Sequence, residues 1–286
     1  ILNFCMDCSH IQLGHVVNPE FLFKDNYHFV SGTSKVNIDH FESYADEVIK
    51  EYNLQEDDLV IDIGSNDGTC LEAFKKRKMR VLGIDPAINI AKIANEKGIE
   101  TISSFFSKEL AIKIKNDFGS PKLITSHNVL AHVENFPDII NGIQTLMNED
   151  SIFIFEVGYF YDVFKNFFFD TIYHEHLDYH TVIPLIPYFK KNNMELFKIE
   201  RKEIQGGSLR NFIQLKSARN KIDVSVSKMI QQENIAGINT LSKLKEFQDN
   251  IDNVRNEFSS LMSEIKNNNN TIAGYGAPTK STTMLN

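Results

Sequence analysis

Residues 59–74 read LVIDIGSNDGTCLEAF. Leu59 to Ile63 form a short apolar run broken only by Asp62, the pattern of a strand covered on both faces. Gly64 and Gly68 follow, where backbone must turn tightly and come close to a ligand, and a helix start comes next. Strand, glycine loop and helix in that order make the first crossover of an open α/β sheet. The spacing decides what the loop can hold. A dinucleotide loop needs G-x-G-x-x-G and a phosphate loop needs G-x-x-x-x-G-K-[ST], whereas this one runs Asp62-x-Gly64-x-x-x-Gly68. NAD and ATP are disfavoured here.

The same alternation continues outward. Apolar runs at RVLGID (80–85), IETISSFF (99–106), PKLITSH (121–127) and SIFIF (151–155) are separated by helical stretches. This predicts a doubly wound, mostly parallel sheet over residues 55 to 160, an α/β fold. Asp85 ends the second of these strands about twenty residues after the loop, placed to accept hydrogen bonds from both hydroxyls of a ribose. Phe105 follows the third strand and offers an adenine contact; Asn128 follows the fourth, at the carboxyl edge where ligands of such sheets bind. The D-x-G-x-x-x-G loop with Asp85 resembles the opening motifs of class I S-adenosylmethionine-dependent methyltransferases, whose cofactor has no phosphate to cradle. That resemblance implies S-adenosylmethionine held by Asp62, Gly64, Asn66, Gly68, Asp85, Phe105 and Asn128.

Composition narrows the rest. The 286 residues are 42% hydrophobic and 24% charged, as in an ordinary globular protein, without an apolar run of the length a membrane span needs. A formal net charge of -8 and no Lys/Arg stripe argue against a nucleic-acid partner and for a small-molecule substrate. Three cysteines make no disulfide framework, so the expectation is a soluble cytoplasmic protein, a monomer or a homodimer. The first residue is Ile, and the natural N-terminus is expected upstream.

Residues 1–50 read as a lid or entry segment, with NIDHFESYADEVIKEY (37–52) an amphipathic helix carrying Phe41, Tyr44, Val48 and Ile49 on one side. Past residue 180 come a helix and two strand-like pieces joined through Gly206 and Gly207, a hairpin suited to closing the sheet. Residues 238–266 predict one long helix with a single apolar stripe, packed on the body or against a coiled-coil partner. NNNN (267–270) stops it, and 271–286 read as a new strand, glycine-rich loop and helix. Such a unit leaves its strand edges uncovered, so the sequence reads as a fragment truncated at both ends or one completed by a partner.

TIYHEHLDYH (171–180) crowds three histidines, two tyrosines and two carboxylates together. It reads as a polar surface loop, as a metal site with His174 and His176 on one side of a strand and His180 nearby, or as an acid–base group. For the last, His176 beside Glu175 would remove a proton from a carbon acid, with Tyr173 hydrogen-bonded to the enolate oxygen. His132, from the end of the fourth strand, is the alternative base.

CMDCSHIQLG (5–14), PEFLFKDNYHFVSGTS (19–34), HFESYA (40–45), DIGSNDGT (62–69), HNVLAHVEN (127–135), FDTIYHEHLDY (169–179), GGSLR (206–210) and GYGAPTKSTTMLN (274–286) occur in order. Together they resemble the C-methyltransferases that act on nucleotide-linked keto-deoxysugars. The resemblance implies three parts: a zinc-module remnant and lid at 1–36, a methyltransferase domain at 37–216, and a helical linker with the start of a nucleotide-sugar-handling α/β domain at 217–286. It implies His176 as base assisted by Glu175, with Tyr173, His132 and Tyr27 around the sugar. Ser208, Arg210, Tyr275 and Lys280 are candidate substrate contacts, Arg210 and Lys280 suiting phosphate oxygens. The family's zinc sits on two C-x-x-C pairs, of which only Cys5 and Cys8 are present, so a zinc site would be half built. Cys70 reads as a small core residue. Methylation of oxygen or nitrogen on another small molecule, or a binding protein of the same fold, are the alternatives.

Overall fold

The computed structural model describes residues 1–25, 27–276 and 280–285. Strands β1 (Leu2–Phe4) and β2 (Ile11–Leu13) open the chain, followed by helices α1 (Pro19–Phe23) and α2 (Lys35–Tyr52). The α/β body follows as β3 (Leu59–Ile63), α3 (Thr69–Lys76), β4 (Arg80–Asp85), α4 (Ile88–Glu96), β5 (Thr101–Ser103), α5 (Lys108–Phe118), β6 (Leu123–His127), α6 (Phe136–Leu146) and β7 (Ile152–Gly158). Then come α7 (Phe160–Asn166), β8 (Asp178–Tyr179), α8 (Val182–Lys191), β9 (Met194–Lys202), β10 (Ser208–Leu215), α9 (Val224–Ala236), α10 (Leu241–Asn267) and α11 (Ser281–Leu285).

Seven strands form one sheet in the order β5-β4-β3-β6-β7-β10-β9. β3 to β7 are parallel, as the apolar runs predict, and β10 enters antiparallel between β7 and β9. Two apolar layers cover it. One joins Phe106, Ile140, Phe155 and Val182; the other joins Tyr44, Cys70, Phe74 and Phe212 beneath α2. Cys70 is buried in that second layer, the small core residue the sequence suggested.

α2 begins at the Ser34 cap, two residues before the predicted start, and ends at Asn53 in the left-handed conformation. Tyr44, Ala45 and Val48 are its buried residues, one stripe at helical spacing. The N-terminal hairpin β1–β2 docks on the body through β8, with Ile11 opposite Tyr179, so it adjoins the histidine-rich stretch.

Two expectations are corrected. Residues 271–276 pair with no strand, because no partner edge is at hand to satisfy their backbone groups; of the loop GYGAPTK, Ala277, Pro278 and Thr279 lie outside the described residues. The long helix starts at Leu241 rather than 238, capped by the Thr240 side chain; of its stripe Phe247 is buried, while Val254, Phe258 and Leu261 face solvent. Among the described residues no helix is long and apolar enough to cross a membrane.

Candidate active site

Gly64 and Gly68 both adopt left-handed backbone, at φ 74° and 78°. A Cβ on Gly64 would lie 2.2 Å from the Val129 side chain, so glycine there is required by both conformation and space. The loop thereby presses under the segment that follows β6. Asp85 accepts the main-chain N–H groups of Asn66 (2.8 Å) and Ala87 (2.9 Å), which fixes its carboxylate at the end of β4. Asp62 is fully buried beside this carboxylate, and its Oδ1 has no hydrogen-bond partner. Burial first, and the nearby Asp85 second, push its pKa well above the usual carboxylate range.

A buried carboxyl without a partner is costly unless a ligand donor meets it. A ribose at Asp85 and an ammonium near Asp62 would answer these two carboxylates, so the residues fit S-adenosylmethionine. Phe105 lies at the rim, partly exposed, while its neighbour Phe106 is in the core. Asn128 takes left-handed backbone, and its N–H donates to the Glu156 carbonyl oxygen (2.7 Å), which carries the chain off the end of β6.

That turn leads to His132. Its Nδ1 lies 2.7 Å from the Glu175 carbonyl oxygen, and the Nδ1 of His176 lies 2.7 Å from the Thr171 carbonyl oxygen. A carbonyl only accepts, so each Nδ1 carries the proton and each neutral ring leaves a lone pair on Nε2. The rings lie 5.0 Å apart, and Tyr173 packs 4.5 Å from His176. Desolvation lowers both histidines, His132 to about 4, so both are neutral at neutral pH. Tyr27 is pushed up to about 12 by burial and then by the negative charges of Glu175 and Asp85. Tyr173 is raised by burial and by Glu175.

Glu175 acts differently from the sequence reading. Its main-chain carbonyl, not its carboxylate, orients a histidine, and that histidine is His132; His176 is oriented by Thr171. Backbone acceptors of this kind carry no residue-type signature. The stretch is a turn rather than a strand, with the His176 N–H on the Tyr173 carbonyl, so His174 and His176 do not share a strand face. His174 is exposed; His180 is buried beside Phe136 and Phe155 and bonded to the Leu130 carbonyl, a structural position.

The remaining sequence candidates divide. Lys280 is close enough for its charge to lower His176, and Thr283 donates to the Ile172 carbonyl (3.0 Å), so the chain's last helix borders the cluster. Tyr275 stands in solvent. Ser208 and Arg210 are not brought to the cluster. Ser208 is buried and closes its own hairpin on Ile204. Arg210 is 1% exposed, bonded to Glu156 (2.9 Å) and Glu47 (2.9 Å) and lying over the Tyr44 ring. A guanidinium enclosed by carboxylates has no free edge for a substrate phosphate.

Sequence reasoning missed a second histidine group around that arginine. His40 bonds Glu156 (2.9 Å), and His127 lies beside it, joined through Thr125 to Tyr44. Ligand atoms of His40, His127 and Glu156 lie within 4.8 Å of one another, spacing a metal could use. The Arg210 cation on Glu156 weighs against one. The signal was the alternation in β6, where Thr125 and His127 must share a face.

Comparison with known proteins decides the assignment. Residues 37–198 match a family described as a methyltransferase domain, and residues 203–286 match one described as a C-methyltransferase C-terminal domain. The chain is 32% identical to C-methyltransferase NovU of Streptomyces niveus over 98% of its own length and 67% of that protein's. The chain belongs to the S-adenosylmethionine-dependent C-methyltransferases. Among solved structures, this methyltransferase is similar to the magnesium protoporphyrin IX methyltransferase of Synechocystis PCC 6803 with bound SAH (14% identity, 64% of this chain and 87% of that one, TM-score 0.48). It is also similar to an S-adenosylmethionine-dependent methyltransferase of Clostridium acetobutylicum ATCC 824 (12% identity, 61% and 90%, TM-score 0.48).

Zinc does not fit the methyltransferase chain as described. Cys5 and Cys8 are exposed at the tip of the β1–β2 hairpin, and among the described residues no third ligand joins them. His10, the nearest histidine in sequence, is bonded to Asp178 (2.7 Å).

Proposed function

We propose that the enzyme methylates the carbon next to the keto group of a nucleotide-activated deoxy sugar, through an enolate. The observation that supports this most directly is the pair His132 and His176, neutral, half-buried and each resting Nδ1 on a main-chain carbonyl, which leaves the basic lone pair of His176 on Nε2. Proton removal from a carbon acid needs such a base. Transfer to oxygen or nitrogen of a better nucleophile does not.

In this reading Asp85 holds the ribose hydroxyls, Asp62 and the Gly64–Gly68 loop face the amino-acid end, and Phe105 and Asn128 border the adenine and the methyl. When bound, the cofactor supplies an electrophilic methyl group. His176 takes the proton from the carbon onto Nε2, and the electron pair of that C–H bond becomes the enolate. Tyr173 or Tyr27, both protonated across the neutral range, donates a hydrogen bond to the enolate oxygen. His132 stands ready to share the proton or replace His176 as base. Lys280 offers a positive charge to a diphosphate beside the cluster. We retain the three-part division at residues 36/37 and 216/217 as part of this proposal, with 217–286 contributing to the sugar nucleotide's site.

The test is exchange. A keto-sugar nucleotide incubated with the protein in deuterated water should gain deuterium at the carbon next to the ketone, and His176→Asn should abolish that gain. Exchange unchanged in His176→Asn but lost in His132→Asn would move the role of base to His132. No exchange with any keto sugar would remove the enolate.

A further inference from the structure

The first loop's Asn66 reads from sequence as a cofactor contact, yet its side chain is engaged elsewhere. Its Oδ1 accepts the Ser31 N–H (2.8 Å) and its Nδ2 donates to the Phe29 carbonyl (3.0 Å). This is a backbone-like pairing of one side chain with a strap, residues 27–34, in which Ser31–Thr33 form a single 3-10 turn. Asn66 holds left-handed backbone at φ 51°, and its own N–H is the donor that fixes Asp85. One residue therefore touches the proposed ribose carboxylate with its main chain and the strap with its side chain.

The strap spans the cofactor groove. On one side Gly32 lies against the loop, so close that a Cβ there would come 2.6 Å from Asp67 Oδ2 and 2.8 Å from Thr69 Oγ1. On the other, Asn89 Nδ2 donates to the Tyr27 carbonyl (2.9 Å), and just upstream the Ile88 N–H donates to the Lys24 carbonyl (3.1 Å). The strap is thus bonded to the residues after β3 and to those after β4, the two walls between which Asp85 stands. Its Tyr27 feels both Asp85 and Glu175, and Phe23, which leads into it, packs edge-on against Tyr27 and His132, at 5.9 and 5.6 Å.

We infer that Asn66 is a positioning residue: it clasps the strap over the bound cofactor and so sets Tyr27 beside the carbon that is methylated. The strap is a wall shared by the cofactor and acceptor sites. Loosening the clasp should therefore weaken the acceptor side more than the cofactor side. The acceptor part of this rests on the methyl-transfer reading above; the clasp does not.

Two variants separate the possibilities. Asn66→Gly keeps the left-handed backbone and removes both side-chain bonds; Asn66→Asp keeps an acceptor for Ser31 and loses the donor to Phe29. Hydrogen exchange of the 27–34 amides is followed with S-adenosylhomocysteine bound, which needs no acceptor. The Ser31 amide should exchange about tenfold faster or more in Asn66→Gly, the loss of two hydrogen bonds, and stay near wild type in Asn66→Asp. Affinity for S-adenosylhomocysteine should change less than about threefold in Asn66→Gly, while KM for the keto-sugar nucleotide rises about tenfold. Strap exchange unaltered in Asn66→Gly, or equally fast in Asn66→Asp, would overturn the clasp. Loss of S-adenosylhomocysteine affinity as large as that of Asp85→Ala would return Asn66 to the cofactor. Altered strap exchange with no turnover of any keto sugar would leave the clasp standing and remove the substrate reading.

Discussion

Two pairs of histidines meet at the end of β6, one through His127 and the other through His132 five residues on, and they are wired differently. His132 and His176 each rest Nδ1 on a main-chain carbonyl, that of Glu175 and that of Thr171. His40 and His127 sit in a charged row built across the strands, where His127, Glu156, Arg210 and Glu200 are register neighbours on β6, β7, β10 and β9. There His40 is tied to Glu156, which the Arg210 cation also holds; hydrogen bonding and these charges outweigh burial and keep the carboxyl down at about 2. His127 is held down at about 3, chiefly by burial, and stays neutral. His127 also keeps one nitrogen, Nδ1, without a partner, but that atom is enclosed in the protein, while the Glu156 carboxylate and the Arg210 guanidinium satisfy each other and hold the strands together. In the proposed reading the same residue type serves chemistry in one place and architecture in the other, and the surroundings make the difference.

The contrast breaks most sharply under substitution of the open pair. His176→Asn should lower deuterium exchange and methyl transfer by about 10²–10⁴-fold, the usual worth of a general base, with an unchanged melting temperature. His40→Asn should leave the same exchange within a few-fold, measured side by side. Comparable losses in both would erase the distinction.

Next in size is the closed group. Arg210→Ala leaves Glu156 buried with His40 but without its guanidinium and should destabilise the fold by about 3–5 kcal/mol in chemical denaturation. Pairing it with Glu156→Gln should recover part of that, because the uncompensated charge is gone. Full stability in the single variant would mean that the row is not coupled.

A smaller effect belongs to the cofactor side. In the proposed reading Asp85→Ala removes an acceptor for two ribose hydroxyls and should weaken S-adenosylhomocysteine by about 10–100-fold in calorimetry, at about 1.5–3 kcal/mol for hydrogen bonds to a charged group. Binding within error of wild type would remove Asp85 from the site.

The pH profile sharpens the comparison further. Burial lowers both open histidines, so the basic form persists as pH falls and the acid limb of kcat/KM should lie below 6.5, the ordinary value for histidine. A limb at or above that value would show that neither lowered histidine is the base whose titration limits kcat/KM. Least of all, Cys5→Ser and Cys8→Ser should leave melting temperature and turnover unchanged, since both thiols are exposed and join no third ligand among the described residues.

Much of this was legible in the chain. The apolar runs with Gly64 and Gly68 announced the parallel sheet and its cofactor loop, because buried strands and tight turns admit few residue types. Asp85 was legible for a similar reason, standing at a strand end. His132, His176, Tyr173 and Tyr27 were named through the resemblance, and the fold gathers them around one another. Arg210 was misjudged: an arginine after a glycine pair looks like a substrate contact, and nothing local reveals that Glu156 lies opposite it on a strand 54 positions away.

The sequence by itself determined the sheet, the cofactor class and which side chains gather in the histidine–tyrosine cluster, since these follow from periodicity and residue type along short stretches. The tertiary structure alone decided which nitrogen of each histidine rests on a carbonyl, which carbonyl that is, that the Asn66 side chain bonds the 27–34 strap, and that Arg210 is interior. Those are properties of donors and acceptors brought together from distant positions, and main-chain carbonyls are the same in every residue.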